Sequence, residues 1–119
     1  MPIEFRAIGP AELDSMVDTM GLAFGFDPRD DSTERLRQVL PFERTRCGFD
    51  GDVMVSTSGA FELDMTIPGG SVPCAGTTMV SVAPTHRRQG VLRQMMRSHL
   101  DDVREHGEPI AALWASDSA

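Results

Sequence analysis

The chain has no lysine and no tyrosine; all 11 of its Lys+Arg residues are arginine. The absence of lysine excludes Schiff-base catalysis and the lysine-centred phosphate loop of nucleotide hydrolases. The absence of tyrosine removes the phenol as a proton donor. Cysteine is scarce: Cys47 and Cys74 alone are present. Two thiols are too few for a disulfide scaffold or a metal cluster, so both are expected as small buried residues on strands, with no metal cofactor. No apolar run approaches the roughly eighteen residues of a membrane span. The opening Met1-Pro2-Ile3-Glu4-Phe5-Arg6 lacks the charged-then-apolar order of a secretory signal. The chain is therefore expected to be cytoplasmic, with no membrane partner. Its net charge of −7 also argues against a nucleic-acid partner.

What is present is an ordinary globular balance, 40% hydrophobic and 24% charged over 119 residues, enough for one core and too few for two. Residues 3–8 alternate apolar and polar as a half-buried strand. Gly9-Pro10 ends it, and Leu13, Met16, Val17, Met20, Ala23 and Phe24 recur at helical spacing over 10–24. Gly25-Phe26-Asp27-Pro28 breaks that helix, and Asp31 with Glu34 suggests the capping of a second, short one carrying Leu36, Val39 and Leu40. Strands are predicted over 44–49, 53–67 and 72–82, with Asp50-Gly51-Asp52 as a tight hairpin turn. Along 61–67 the alternation predicts one core face and one wet face. A helix over 90–106 should bury Leu92, Met95, Met96, Leu100 and Val103, with Gly107 closing it. A last apolar strand over 110–115 is expected to run parallel to 80–82. The order β-α-α-β-β-β-α-β describes an α+β domain: a mixed, mostly antiparallel sheet with helices on both faces.

The most informative segment is Val80-Ser81-Val82-Ala83-Pro84-Thr85-His86-Arg87-Arg88-Gln89-Gly90-Val91-Leu92. A strand ends at a proline, a basic loop follows, and a glycine opens a helix. The free N–H groups of a first helical turn carry about half a positive charge, and Arg87 and Arg88 add full charges beside them. The expected guest is a phosphate or pyrophosphate.

These residues resemble the Gcn5-related N-acetyltransferase (GNAT) superfamily, whose Arg/Gln-x-x-Gly-x-Gly/Ala signature reads here Arg87-Arg88-Gln89-Gly90-Val91-Leu92. The stretch from Val82 to Arg93 is very similar to the enhanced intracellular survival (Eis) acetyltransferases; Leu92 departs from the general small-residue pattern. The resemblance is sharp from about Thr78 to Ser116 and loose before it. It implies acetyl-CoA as cosubstrate and a primary amine, an aminoglycoside or a lysine side chain, as acceptor. Backbone groups of Val80, Ser81 and Val82 would run beside the pantetheine arm, and an amide at this strand end would polarise the thioester carbonyl. Arg87, Arg88, Gln89, Gly90, Val91, Leu92 and Arg93 would hold the pyrophosphate, with Gly90 allowing close backbone approach. Ser116 and Asp117 would face the cofactor arm. Phe24, Phe26, Asp27 and Met79 would border the acceptor pocket.

The resemblance further implies a tyrosine acid just after the fifth strand, here expected beyond Ala119, and a chain-terminal carboxylate as base. The 119 residues are thus expected to be the N-terminal part of such a domain, without its last strands, its downstream domains and its hexameric assembly, so that this portion alone would be inactive. The alternative is a non-catalytic acetyl-CoA-binding or structural module. Other chemistry-bearing residues have plainer readings. His86 is expected to be solvated or phosphate-facing, and His99 to be packed. Glu62 and Asp64 suit a strand-borne base or a solvated face equally. Met16, Met20, Met95 and Met96 are core fillers, and Asp101, Asp102 and Glu105 a solvated helix face.

Overall fold

The computed structural model describes residues 2–27 and 32–115. The predicted order of elements is observed: β1 (Glu4–Arg6), α1 (Leu13–Phe24), α2 (Ser32–Val39), β2 (Cys47–Asp50), β3 (Val53–Ile67), β4 (Gly70–Val82), α3 (Val91–Glu105) and β5 (Ile110–Ala112). Asp31, the proposed cap of α2, lies outside the described residues. Three short 3-10 turns, Pro10–Glu12, Phe42–Arg44 and Pro84–His86, join these elements. The strands lie in the order β1-β2-β3-β4-β5; the first three pairings are antiparallel and β4–β5 is parallel.

The helices take both faces. Leu13, Met16 and Val17 of α1 and Leu40 after α2 are buried with Ile8, Cys47, Phe49 and Met54, and Phe61 and Met79 pack against this cluster. Ala60, Phe61's neighbour, instead joins Ala75 and Val103 of α3. Consecutive strand residues point to opposite faces, so α1 and α3 lie on opposite sides of the sheet. Burying a side chain such as Leu13 or Met16 contributes about 1.5–3 kcal/mol.

Several expectations need correction. The distal arm 61–67 is not one buried face opposite one wet face. Residues 54–60 are buried on both faces, but beyond Phe61 the hairpin runs past the helices, and Leu63 is 51% exposed. Arg44 is not on a strand. It ends a 3-10 turn and is fully buried, with Nε on Asp102 Oδ2 at 2.7 Å and both terminal nitrogens forked onto the Glu108 carboxylate at 2.5 and 3.2 Å. Arg46 donates to the other Asp102 oxygen at 3.0 Å. Asp102 is therefore no part of a solvated face, unlike the exposed Asp101 and Glu105. The buried face of α3 shifts accordingly to Val91, Met95, His99, Asp102 and Val103, leaving Leu92 and Leu100 half exposed. Finally, β5 is only three residues long. It pairs with Cys74–Gly76, not with 80–82, through Cys74↔Ile110, Ala75↔Ala111 and Gly76↔Ala112.

Candidate functional site

The early end of the β4–β5 ladder creates the site. Beyond Gly76 and Ala112 the two strands part, and the opening between them is a cleft of about 540 Å³ lined by Met20, Phe24, Thr77, Thr78, Met79, Val80, Leu113, Trp114 and Ala115. Leu113 and Trp114 were expected to continue the last strand; unpaired, they form one wall of this cleft. A second cleft of about 520 Å³ continues along β4 to the basic loop and the start of α3, lined by Ala23, Phe24, Val80, Ser81, Val82, His86, Arg87, Arg88, Gly90, Val91, Leu92 and Arg93. Phe24 and Val80 line both, so the two clefts adjoin at these residues.

The end of the second cleft gathers a helix N-terminus and several arginines. Gly90 is the N-cap of α3 with φ +79°, the left-handed region where glycine alone is unstrained. An added Cβ there would meet only Gln94 Nε2 at 4.0 Å, so backbone conformation rather than crowding within the chain demands glycine. The first turn of α3 has neither a side-chain cap nor an acidic residue to offset the positive end of the helix. Arg87, Arg88 and Arg93 are all exposed around it. Arg88 itself holds a left-handed backbone, φ +63°. Arg87 is partly engaged, donating to the Ala23 carbonyl at the end of α1 at 3.2 Å.

His86 anchors this loop. Its Nδ1 lies 2.8 Å from Thr85 Oγ1 and its Nε2 2.9 Å from Asp50 Oδ2 at the end of β2. His99 is packed as expected: it is fully buried with Nε2 2.8 Å from Thr77 Oγ1, and its Nδ1 has no partner. Burial, aided by the Arg44 and Arg46 charges, lowers its pKa against the opposing pull of Asp102. Around Arg44, desolvation pulls the guanidinium pKa down, but the hydrogen bonds to Glu108 and Asp102 outweigh it and the net shift is upward. Cys47 and Cys74 are buried free thiols, and burial pushes Cys47 up to about 11, far from a reactive thiolate.

Of the sequence-derived binding residues, Ser81, Val82, Arg87, Arg88, Gly90, Val91, Leu92 and Arg93 line one cleft, Met79 lines the other, and Phe24 and Val80 line both. Gln89 lines neither; its amide donates to the Thr85 carbonyl at 3.3 Å. Phe26 and Asp27 are exposed beyond α1 and line neither cleft, and Ser116 and Asp117 lie outside the described residues. Glu62 and Asp64 sit on the distal arm away from both clefts, with Glu62 3.5 Å from Arg44. Met20, Thr77, Thr78, Leu113 and Trp114 were missed as lining residues, because only the point where β4 and β5 separate places them there. Among the described residues, no group of three or more His, Cys, Asp or Glu could hold a metal ion, and no helix is long and apolar enough to cross a membrane.

Residues 4–119 match the acetyltransferase (GNAT) domain family. An uncharacterized N-acetyltransferase of Streptomyces avermitilis is 46% identical over the whole chain, which covers 30% of that protein. The N-acetyltransferase Eis of Mycobacterium tuberculosis is 43% identical over 56% of the chain and 17% of its own length. The crystal structure of Eis1 from Mycobacterium abscessus superimposes with a TM-score of 0.85 at 26% identity, over 99% of this chain and 29% of that one. The chain thus spans about 30% of the length of the first of these relatives.

Proposed function

This chain belongs to the GNAT acetyltransferase family, and on that premise we propose that it is the cofactor-binding, N-terminal portion of an acetyl-CoA-dependent N-acetyltransferase acting on a primary amine. The observation that carries the reading is the continuity of the two clefts at Val80. One cleft ends in an uncapped helix N-terminus ringed by three arginines, and the other is largely apolar. A linear ligand with a pyrophosphate at one end and an acyl thioester at the other fits this polarity.

In this reading Arg88, Arg93 and the first-turn amides of α3 bind the pyrophosphate, with Gln89 and Arg87 fixing the loop. The backbone of Val80, Ser81 and Val82 lies along the pantetheine arm. A backbone amide near Val80 would stabilise negative charge developing on the thioester carbonyl oxygen, because a fixed donor in a dry cleft needs no reorganisation during the reaction. Acetyl-CoA supplies the activated acyl group. Phe24, Met79 and Trp114 would border the acceptor amine, an aminoglycoside or a lysine side chain, at the mouth of the splayed strands. The acid for the departing thiolate and the base for the ammonium would come from a longer protein, as long as the Streptomyces avermitilis relative of which this chain covers 30%. That longer protein is proposed to be a cytoplasmic homo-oligomer.

Calorimetry with acetyl-CoA tests the cleft assignment. Micromolar one-to-one binding to the 119-residue chain is expected, and no binding to the chain or to the longer protein would refute it. A thiol-release assay with an aminoglycoside separates the enzyme from the alternative, a non-catalytic acetyl-CoA-binding module. The enzyme releases free CoA thiol only when acceptor is present; the module binds acetyl-CoA and releases none.

A further inference from the structure

The proposed site turns on a defect in the β3–β4 ladder. Thr57 pairs with Ser81 and Gly59 with Thr78, so Ser58 alone stands opposite both Met79 and Val80. Two residues against one is a β-bulge. Its first residue, Met79, has φ +54°, a conformation that large side chains rarely adopt and that such bulges usually give to glycine. Something must hold a methionine there.

Two contacts do so. The Met79 side chain packs against the main core; its Cε is 3.3 Å from where a Cβ at Gly59 would stand, so glycine at 59 makes the room. The Met79 carbonyl, displaced from the regular ladder, accepts from the buried Thr57 hydroxyl at 2.6 Å. Thr57 Oγ1 is also 2.5 Å from Ser81 Oγ. Thr57 has a single hydroxyl proton and gives it to Met79, so Ser81 donates to Thr57. The result is a one-way chain, Ser81 Oγ–H to Thr57 Oγ–H to Met79 C=O, that spans both ends of the bulge.

We propose that Thr57 is a positioning residue: its hydroxyl holds the left-handed bulge at Met79 and thereby sets where the Val80 backbone stands between the two clefts. The functional part of this inference rests on the acetyl-CoA reading; the structural part does not. Thr57 itself lines neither cleft, so it acts through Met79.

The test uses nuclear magnetic resonance on the ligand-free 119-residue chain. A left-handed residue gives an intense intraresidue amide-to-Hα Overhauser cross-peak, which extended backbone does not. Met79 is expected to show the intense cross-peak in the unsubstituted chain and in Thr57→Ser, and to lose it in Thr57→Val. Persistence in Thr57→Val would overturn the proposal. Acetyl-CoA titration of the same proteins is expected to show a loss of about tenfold in Thr57→Val and near-normal affinity in Thr57→Ser, the size of one lost orienting interaction. Unchanged affinity in a Thr57→Val protein that has lost the cross-peak would also overturn it. Failure of every variant, the unsubstituted chain included, to bind acetyl-CoA would instead count against the proposed function, while the cross-peak still decides the role of Thr57. Should Thr57→Val not fold, Met79→Gly provides the check. Glycine needs no help at positive φ, so Thr57→Val is expected to fold in that background. An equal failure there would sink the idea.

Discussion

Arg44 and Arg88 are the same side chain in opposite circumstances. Arg44 is wholly buried, and its donors are taken by Asp102 and Glu108. Arg88 is exposed on a strained left-handed backbone at the rim of a cleft. In a chain without lysine, arginine serves both the interior and the ligand surface. The guanidinium suits both tasks because its planar fork matches a carboxylate and a phosphate alike. Whether its partner is already in the chain distinguishes scaffold from site. Sequence alone does not report that, since the partners of Arg44 lie 58 and 64 residues away.

The largest expected effect comes from breaking the engaged arginine. Arg44→Met leaves two buried carboxylates with much of their charge uncompensated and should destabilise the fold by about 3–5 kcal/mol, read from urea unfolding. Adding Asp102→Asn and Glu108→Gln should recover part of that loss, because the stranded charges are gone. No recovery would mean that packing, not charge, makes Arg44 matter.

Gly90 separates the two roles within one residue. Gly90→Ala and Gly90→Glu both force a Cβ into left-handed backbone and should each cost about 1–2 kcal/mol of stability. Only Gly90→Glu places a carboxylate where the pyrophosphate is proposed to sit. It should abolish acetyl-CoA binding by calorimetry, whereas Gly90→Ala should keep measurable affinity. Equal affinities for the two variants would break the assignment of this loop.

Arg88→Gly is the counterpart of the Arg44 substitution. It removes a charge and relieves a positive φ, so the unfolding midpoint should hold or rise slightly. Acetyl-CoA affinity should fall by about 1.5–3 kcal/mol, the range for a hydrogen bond to a charged group. The remaining affinity should depend less on salt, since a screened charge has been removed.

The smallest effect is a pH dependence on the buried side. His99 has a folded-state pKa below its ordinary value, so the unfolded chain binds its proton first. The stability it contributes is full above about 6.5, the ordinary imidazole value, and is lost as pH falls from there toward the lowered folded value. Melting temperatures measured from pH 7 downward should therefore drop more steeply for the unsubstituted protein than for His99→Gln. Parallel curves would remove His99 from the account.

The elements that were legible carried their own local chemistry. The Asp50-Gly51-Asp52 turn was readable because a two-residue hairpin needs left-handed backbone, which Gly51 supplies at φ +62°. Helix α3 was readable because Gly90 and Gly107, both at positive φ, bracket a strong apolar period. The passage from strand through basic loop to helix was legible from Pro84, the arginines at 87 and 88, and Gly90. What failed depended on distant pairing. Apolar periodicity placed Leu92 and Leu100 inside α3, yet the Arg44 network drew Asp102 inward and rotated the buried face away from them. The run from Ile110 to Ala115 looked like one strand, because local propensity cannot reveal that its pairing ends at Gly76. The bulge at Met79 gave no local sign, since methionine is not the residue such a conformation favours.

Trp114 is almost fully exposed, at 99%, on the wall of the splayed cleft. It is the only tryptophan in a chain without tyrosine. Excited at the red edge of indole absorption, the 119-residue chain therefore emits from a single indole at the mouth of the cleft. Whatever enters beside Met79, whether an acyl chain, an acceptor or a following stretch of polypeptide, exchanges water against that ring for something less polar and shifts its emission to shorter wavelength. The chain carries its own optical label on the wall of that cleft.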